Sequence, residues 1–288
     1  MDRFLILMEN FLNQIYLSPV RSWLRNIGII NLFRFYSEIQ TQFQYFEYSL
    51  RHPISAKVQA DGCVATLLVS SKEEYVRVLS VNRDKHIIKR LVDYIKSGDT
   101  CWDIGANIGL YTVLLAKAVG ENGTVVAFEP EKNSFKRLIE NIKFNKLANV
   151  YPLNVALGQE NTKMLLRVSD HYASGTHSLV MDKESNHNKD KHENVEVIRG
   201  DTFRVQEKKE IPVAIKIDVE GAEEDVLIGL DETLKDKKCR FVVCEVHFSI
   251  LQSSGRREAP RKIHQFLKDR GFSDQTWLDH SHLIAYKG

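Results

Sequence analysis

Ten residues, Thr100 to Gly109 (TCWDIGANIG), join a short apolar run, an acid at its end and a glycine-spaced turn. Glycine reaches positive φ without steric cost and lets a ligand approach the backbone. A turn built on Gly105 and Gly109 can therefore press against a ribose or an amino-acid tail. A pyrophosphate is the wrong partner: dinucleotide sites use G-x-G-x-x-G, whereas Gly105 and Gly109 enclose Ala106, Asn107 and Ile108. Glu129, twenty residues beyond Gly109 and followed by Pro130, can accept hydrogen bonds from the 2′ and 3′ hydroxyls of a ribose, which suits either NAD or S-adenosylmethionine. Asn154, with Val155 and Ala156, offers a donor, acceptors and backbone groups that could line an adenine.

These residues need a parallel sheet to hold them. Cys101, Trp102 and Ile104 suit a central strand ending near Asp103, and Leu110 to Ala118 reads as the following helix. Thr124 to Phe128 is a second strand ending at Glu129, Glu131 to Asn145 is helical, and Val150 to Leu153 is a third strand. Val213 to Ile217 is the fourth, running into Asp218-Val-Glu-Gly-Ala-Glu223, after which helix resumes to Leu230. Phe241 to Val246 is the fifth and ends beside His247. Strict alternation of strand and helix makes the chain α/β, and ligands of such sheets gather at the carboxyl ends of the strands.

DIGANIG at 103–109, FEP at 128–130, NVALG at 154–158, KIDVEGAE at 216–223 and CEVH at 244–247 together resemble the FkbM-type family of S-adenosylmethionine-dependent methyltransferases over about residues 80–288. The resemblance implies a Rossmann-like class I methyltransferase fold: a seven-stranded, mostly parallel sheet with helices on both faces and an antiparallel last strand. It also implies O-methylation of hydroxyls. Carried over, Asp103, Gly105, Ala106, Asn107 and Gly109 would hold the methionine part of the cofactor, and Glu129 with Pro130 its ribose. Asn154, Val155 and Ala156 would face the adenine, and Asp218 would lie beneath the methyl group. S-adenosylhomocysteine would be the product.

Methyl transfer is an in-line displacement, so acceptor, methyl and sulfur must be aligned and water excluded. An uncharged hydroxyl also needs a base. His247 is the first candidate, because its ordinary pKa near 6.5 suits proton abstraction near neutral pH. Asp218 and Glu220 are the alternatives, with Glu245 behind them. A histidine bonded to a backbone carbonyl, or a Glu220 that caps its helix, would explain the same residues without catalysis. Lys216, in an apolar strand, requires an acidic neighbour and is placed with Glu245 on the acceptor side. The sulfonium loses its charge as the methyl leaves, so an anion touching sulfur would favour the ground state. Asp103 and Asp218 should face the ammonium or the acceptor instead.

The fourth strand ends in DVEG and lacks the Asp/Asn-Pro-Pro-aromatic run of adenine-type N-methylation, and no Pro-Cys nucleophile for C5 methylation is present. Forty basic against thirty-eight acidic residues give +2, with no overall drive toward nucleic acid. A small-molecule, natural-product or glycan hydroxyl is the expected acceptor. A dehydrogenase is disfavoured by the glycine spacing, while a noncatalytic cofactor-binding scaffold or partner-recruiting module remains the alternative.

The composition, 43% apolar and 27% charged over 288 residues, fits one large α/β domain with an appendage. The four cysteines lack C-x-x-C spacing and read as reduced. No secretory pattern or spanning run opens the chain, so a cytoplasmic location is expected. Residues 1–55 are read as an aromatic-rich helical extension and 56–288 as the catalytic domain. Leu32, Tyr36, Ile39, Phe43, Phe46 and Leu50 lie on one helical face, expected to pack against that domain, with a homodimer interface, a lid or an interfacial membrane helix as alternatives. His52-Pro53 ends the helix, and Ala56 to Ser80 reads as short antiparallel strands turning at Asp61-Gly62. Residues 169–194 are polar and histidine-rich, but His171, His177, His187 and His192 fit no compact zinc spacing. No metal is expected there. Such an insertion can meet the acceptor, which places Ser174, Gly175, Thr176, His177 and Ser178 on the substrate side.

Overall fold

A computed structural model describes residues 29–52, 54–60, 63–80, 85–168, 178–180 and 191–288. The first helix among the described residues, Ile29–Arg51, leads into a hairpin of β1 (Ser55–Ala60) and β2 (Cys63–Leu68); the turn expected at Asp61-Gly62 lies outside the described residues. Residues 72–80, expected to be extended, form a helix instead. The physical reason is a capping pattern: the Ser71 hydroxyl accepts from the Glu74 amide, and the Glu74 carboxylate accepts from the amide of Ser70.

Seven strands make the main sheet. β3 (Thr100–Ile104), β4 (Thr124–Phe128) and β5 (Val150–Leu153) run parallel, joined by helices Leu110–Val119 and Lys132–Phe144. The polypeptide then makes β6 (Ala156–Gly158), β7 (Thr162–Val168), β8 (Ser178–Val180) and β9 (Lys191–Arg199), a separate four-stranded sheet in the order β6-β9-β7-β8. This second sheet was not expected, and it takes 178–180 and 191–194 out of the irregular region. Residues 174–177 of the proposed substrate side lie outside the described residues, and Ser178 opens β8, paired with Arg167. The chain returns to the main sheet with β10 (Ala214–Ile217) and β11 (Phe241–Glu245), then β12 (Asp274–Trp277) and β13 (His282–Tyr286).

The order β12-β13-β11-β10-β3-β4-β5, with β13 antiparallel to β11, is the class I methyltransferase topology. Its central strands β3, β4, β10 and β11 are buried on both faces, so they read as nearly continuous apolar runs. Alternate side chains serve opposite layers. Trp102, Val126, Ile215 and Val242 pack with Leu227, Leu234, Ile263 and Leu267, while Cys101, Val125, Ala214 and Val243 pack with Ile87, Leu91 and Leu115. Helices therefore cover both faces.

The first helix corrects one expectation. Ile39, Phe43, Phe46 and Leu50 are exposed, 47 to 67%, and the contact is made by a neighbouring stripe: Tyr48 packs on Tyr75, and Lys72 lies over the Tyr45 ring. Aromatic residues occur on both faces of this helix, so periodicity alone did not select the docking side. Leu32 and Tyr36 lie where side chains are not described. Among the described residues no helix is long and apolar enough to cross a membrane.

Candidate active site

Two clefts meet at the carboxyl ends of β3, β4 and β10. The first is lined by Gly105, Asn107, Glu129, Pro130, Val155 and Ala156, with Asp218 and Glu220 at one end. The motif residues are thus brought together, and the backbone supplies the reason. Gly105 has φ +78, and a Cβ there would lie 1.8 Å from the Asp218 carbonyl oxygen. The space that glycine preserves is filled by the neighbouring strand end, where ligand approach alone was expected. Asn107 also has positive φ, 50°, and its amide donates to Glu129 Oε2 at 2.7 Å. The Glu131 amide donates to Glu129 Oε1 at 2.8 Å. Each carboxylate oxygen keeps a further lone pair for a ligand hydroxyl. Burial pushes the Glu129 carboxyl up to about 7, although the amides of Glu131 and Asn107 favour its ionised form.

Three expected contacts are not direct. Asp103 is fully buried and does not line the cleft: its Oδ2 accepts from the Thr112 hydroxyl at 2.6 Å and its Oδ1 lies 3.4 Å from Lys216 Nζ. Lys216 is not on the acceptor side either, because register pairs it with Asp103. Its ammonium sits between Asp103, Asp218 (3.3 Å) and the Gly105 carbonyl (3.0 Å), and burial is overcome by those acids, which raise its pKa. The Asn154 side-chain amide is engaged within the protein: it donates to the carbonyls of Glu129 and Pro130 at 2.8 and 3.0 Å, tying down the loop. Ala106 and Gly109 are likewise buried in the turn; Gly109 has φ +94 and packs on Leu138.

The second cleft adjoins the first at Glu220 and is larger, with Gly158, Arg167, Gly221, Asp225, Ile250 and Arg256 in its wall. Behind Glu220 at this junction lies His247, which itself lines neither cleft. Its Nδ1 is 2.6 Å from Glu223 Oε1, and its Nε2 faces Glu220 Oε2 (3.4 Å), Asp218 Oδ1 (3.7 Å) and Glu245 Oε1 (3.9 Å). Glu223 is fully buried and also accepts from the Gly221 amide, so it takes the helix-start position considered for Glu220. Glu220, with φ +49, points to His247 instead.

The electrostatics differ from the free imidazole expected. Burial alone would lower the His247 pKa, but the Glu223 bond and the Asp218 and Glu220 charges hold it up at about 9. Burial raises Glu220 to about 8 against the pull of His247. Asp218 is held well below the usual carboxylate range: burial opposes ionisation, and Lys216, Arg77 and His247 outweigh it. His247 therefore rests with its proton held by its acidic neighbours.

Four participants were not picked out as site residues in the sequence. Glu223 sat inside a quoted motif and read as helix. Arg77, 3.6 Å from Asp218 Oδ2, comes from the helix at 72–80. His282 reaches Glu245 at 3.3 Å because antiparallel register sets them opposite each other, and Asp279 holds its Nδ1 at 2.9 Å. No short-range spacing signals the last three.

Comparison with known proteins identifies the chain. The family model described as the methyltransferase FkbM domain matches residues 103–273, more than half of the chain. Over 202 residues the chain is 28% identical to the hexuronic acid methyltransferase AglP of Haloferax volcanii, covering 70% of this chain and 77% of that protein. It is 30% identical over 145 residues to methyltransferase 1 of Beauveria bassiana, covering 45% of this chain and 57% of that one. The crystal structure of an FkbM methyltransferase from Methylobacillus flagellatus aligns over 76% of this chain and 56% of its own length, with TM-score 0.45 and 12% identity. The chain belongs to the FkbM family of methyltransferases, enzymes that use S-adenosylmethionine.

Proposed function

We propose that this enzyme transfers the methyl group of S-adenosylmethionine to a hydroxyl of a glycan or small molecule, with a uronic-acid sugar as the acceptor class to test first. The acidic cluster around His247, standing where the two clefts meet, carries this reading. The first cleft takes the cofactor: Glu129 accepts from the ribose hydroxyls, the Pro130, Val155 and Ala156 wall receives the adenine, and Arg77 meets the methionine carboxylate. Gly105 and Asn107 shape that wall through their backbone, and Asp103 acts from behind through Lys216.

The acceptor lies in the second cleft, with its oxygen over Glu220 and Asp218. As the oxygen lone pair bonds the methyl carbon, the C–S pair returns to sulfur, and the hydroxyl proton passes to one of the carboxylates that ring His247. Glu223 is a positioning residue, since a carboxylate on Nδ1 fixes the tautomer and orientation of the imidazole. The similarity to a hexuronic acid methyltransferase supports a sugar acid as the acceptor. Arg167 and Arg256 in the cleft wall would suit its charge.

The test is methyl transfer from labelled S-adenosylmethionine to uronic-acid oligosaccharides, followed by mild alkali. An alkali-stable methyl ether supports the hydroxyl reading. An alkali-labile ester moves the reaction to the carboxylate, and transfer only to neutral acceptors removes the sugar-acid assignment. Domain limits are proposed as 1–55 and 56–288, and a homodimer through residues 1–55 would appear as a mass of two chains in solution.

A further inference from the structure

The cluster at the cleft junction has more structure than a proton acceptor requires. His247 Nε2, one oxygen of Asp218 and one of Glu220 lie within 4.8 Å of one another. Bonds of about 2.0–2.2 Å to a shared ion set adjacent ligand atoms about 3.0–3.6 Å apart, and two of the three spacings, 3.4 and 3.7 Å, are already close to that. The imidazole is oriented for this task. Buried Glu223 holds Nδ1 at 2.6 Å, so that when an ion displaces the Nε2 proton the lone pair is already aimed at the two acids, the arrangement that carboxylates impose on metal-binding histidines. Asp218 is oriented too: Lys216 and Arg77 occupy Oδ2 at 3.3 and 3.6 Å, and Oδ1 is turned toward Nε2.

Charge points the same way. Asp218, Glu220, Glu223 and Glu245 all lie within 3.9 Å of the His247 ring nitrogens, and Asp103 stands behind Lys216. Lys216, Arg77 and His282 are the cations that face them among the described residues. Asp218 and Glu220 are the two of these that open onto a cleft; clustered buried carboxylates are costly unless paired, and a divalent ion is a compact partner.

We propose that Asp218, Glu220 and His247 bind a divalent first-row transition ion that also takes the acceptor oxygen. One imidazole with two carboxylates suits Mn2+, Fe2+, Co2+ or Zn2+ better than Ca2+ or Mg2+, which favour oxygen. Three protein ligands leave open positions on the ion. An acceptor hydroxyl bound there is more acidic than in water. His247 is then a ligand, and the hydroxyl proton goes to Glu245, 3.9 Å from Nε2, while oxygen bonds the methyl carbon and sulfur keeps the C–S pair. This rests on the reading that the acceptor oxygen lies over Glu220.

Mn2+ is the probe. Chelator-treated full-length protein is titrated with Mn2+ in the presence of S-adenosylmethionine, and free ion is followed by electron paramagnetic resonance. One ion bound per chain, with nitrogen coupling to one histidine in the spin-echo modulation, is expected. His247→Ala should abolish that coupling, and both His247→Ala and Glu220→Gln should weaken Mn2+ by at least about tenfold while S-adenosylmethionine affinity is kept as the measure of folding. Glu223→Gln should weaken it by about 10-fold or more. Absence of stoichiometric binding, absence of nitrogen coupling in the wild type, or unchanged affinity in both ligand variants overturns the site. Acceptor methylation that proceeds equally in chelator and in Mn2+ also overturns it and leaves the acceptor reading standing, whereas tight Mn2+ binding without methylation of any uronic-acid acceptor counts against that reading alone.

Discussion

On the β3–β4 side of the site, polar contacts run through the backbone: the Asn107 and Glu131 amides both end on the Glu129 carboxylate, and the Gly105 and Ala106 amides both donate to the Phe128 carbonyl. On the β10–β11–β13 side the contacts join side chains, from Asp279 through His282 and Glu245 to His247 and Glu223. The first arrangement is preformed and tolerates little change. The second is an assembly of charges whose state depends on what binds among them. Binding of the cofactor and activation of the acceptor should therefore fail separately.

The strongest separation is expected at His247 and Asp218. His247→Ala or Asp218→Asn should lower kcat by about 10²–10⁴, with the dissociation constant of S-adenosylmethionine within about twofold for His247→Ala by calorimetry. Normal turnover in both variants would remove the cluster from the reaction. Glu129→Ala should do the reverse, costing about 1.5–3 kcal/mol of cofactor affinity for lost hydrogen bonds to a charged group while leaving acceptor KM nearly unchanged. Equal losses in both would dissolve the distinction between the two clefts.

Acidity sharpens the comparison further. Glu129 has its pKa raised from 4.5 to about 7 in the folded protein, and the ionised form is the one that accepts both ribose hydroxyls. Cofactor affinity should thus be full above pH 7 and fall as pH drops through about 7, by up to about tenfold per unit. In Glu129→Gln that slope should vanish; a slope that survives would belong to another group. Asn154→Ala is the smallest expected effect. It loses two bonds to carbonyls, one part-buried and one exposed, so urea unfolding should register about 0.5–1.5 kcal/mol with cofactor affinity within about twofold. A larger loss of affinity would restore Asn154 as an adenine contact.

The stripe on the first helix marks the limit of periodic reasoning. Ile39, Phe43, Phe46 and Leu50 have correct helical spacing, yet Tyr45 and Tyr48 from the next stripe make the contact. Spacing establishes that residues share a face; it does not say which face meets the domain. The helix at 72–80 was missed for a local reason, the Ser71–Glu74 cap. The second sheet was missed because its strands are separated by a long polar insertion and pair at a distance.

Short-range pattern was enough for the order of strands and helices, the turn at 103–109, Glu129 as the acid at a strand end, and the presence of Asp218, Glu220 and His247 at neighbouring strand ends. These follow from local sterics, apolar runs and the alternation that forces a parallel sheet. Tertiary structure alone decided that Lys216 is spent on Asp103 and Asp218, that Arg77, Asp279 and His282 enter the site, and that His247 holds its proton among acids. The reason is range: strand register and helix docking bring together residues tens to nearly two hundred positions apart, and charges alter one another's protonation through space with no trace in their spacing along the chain.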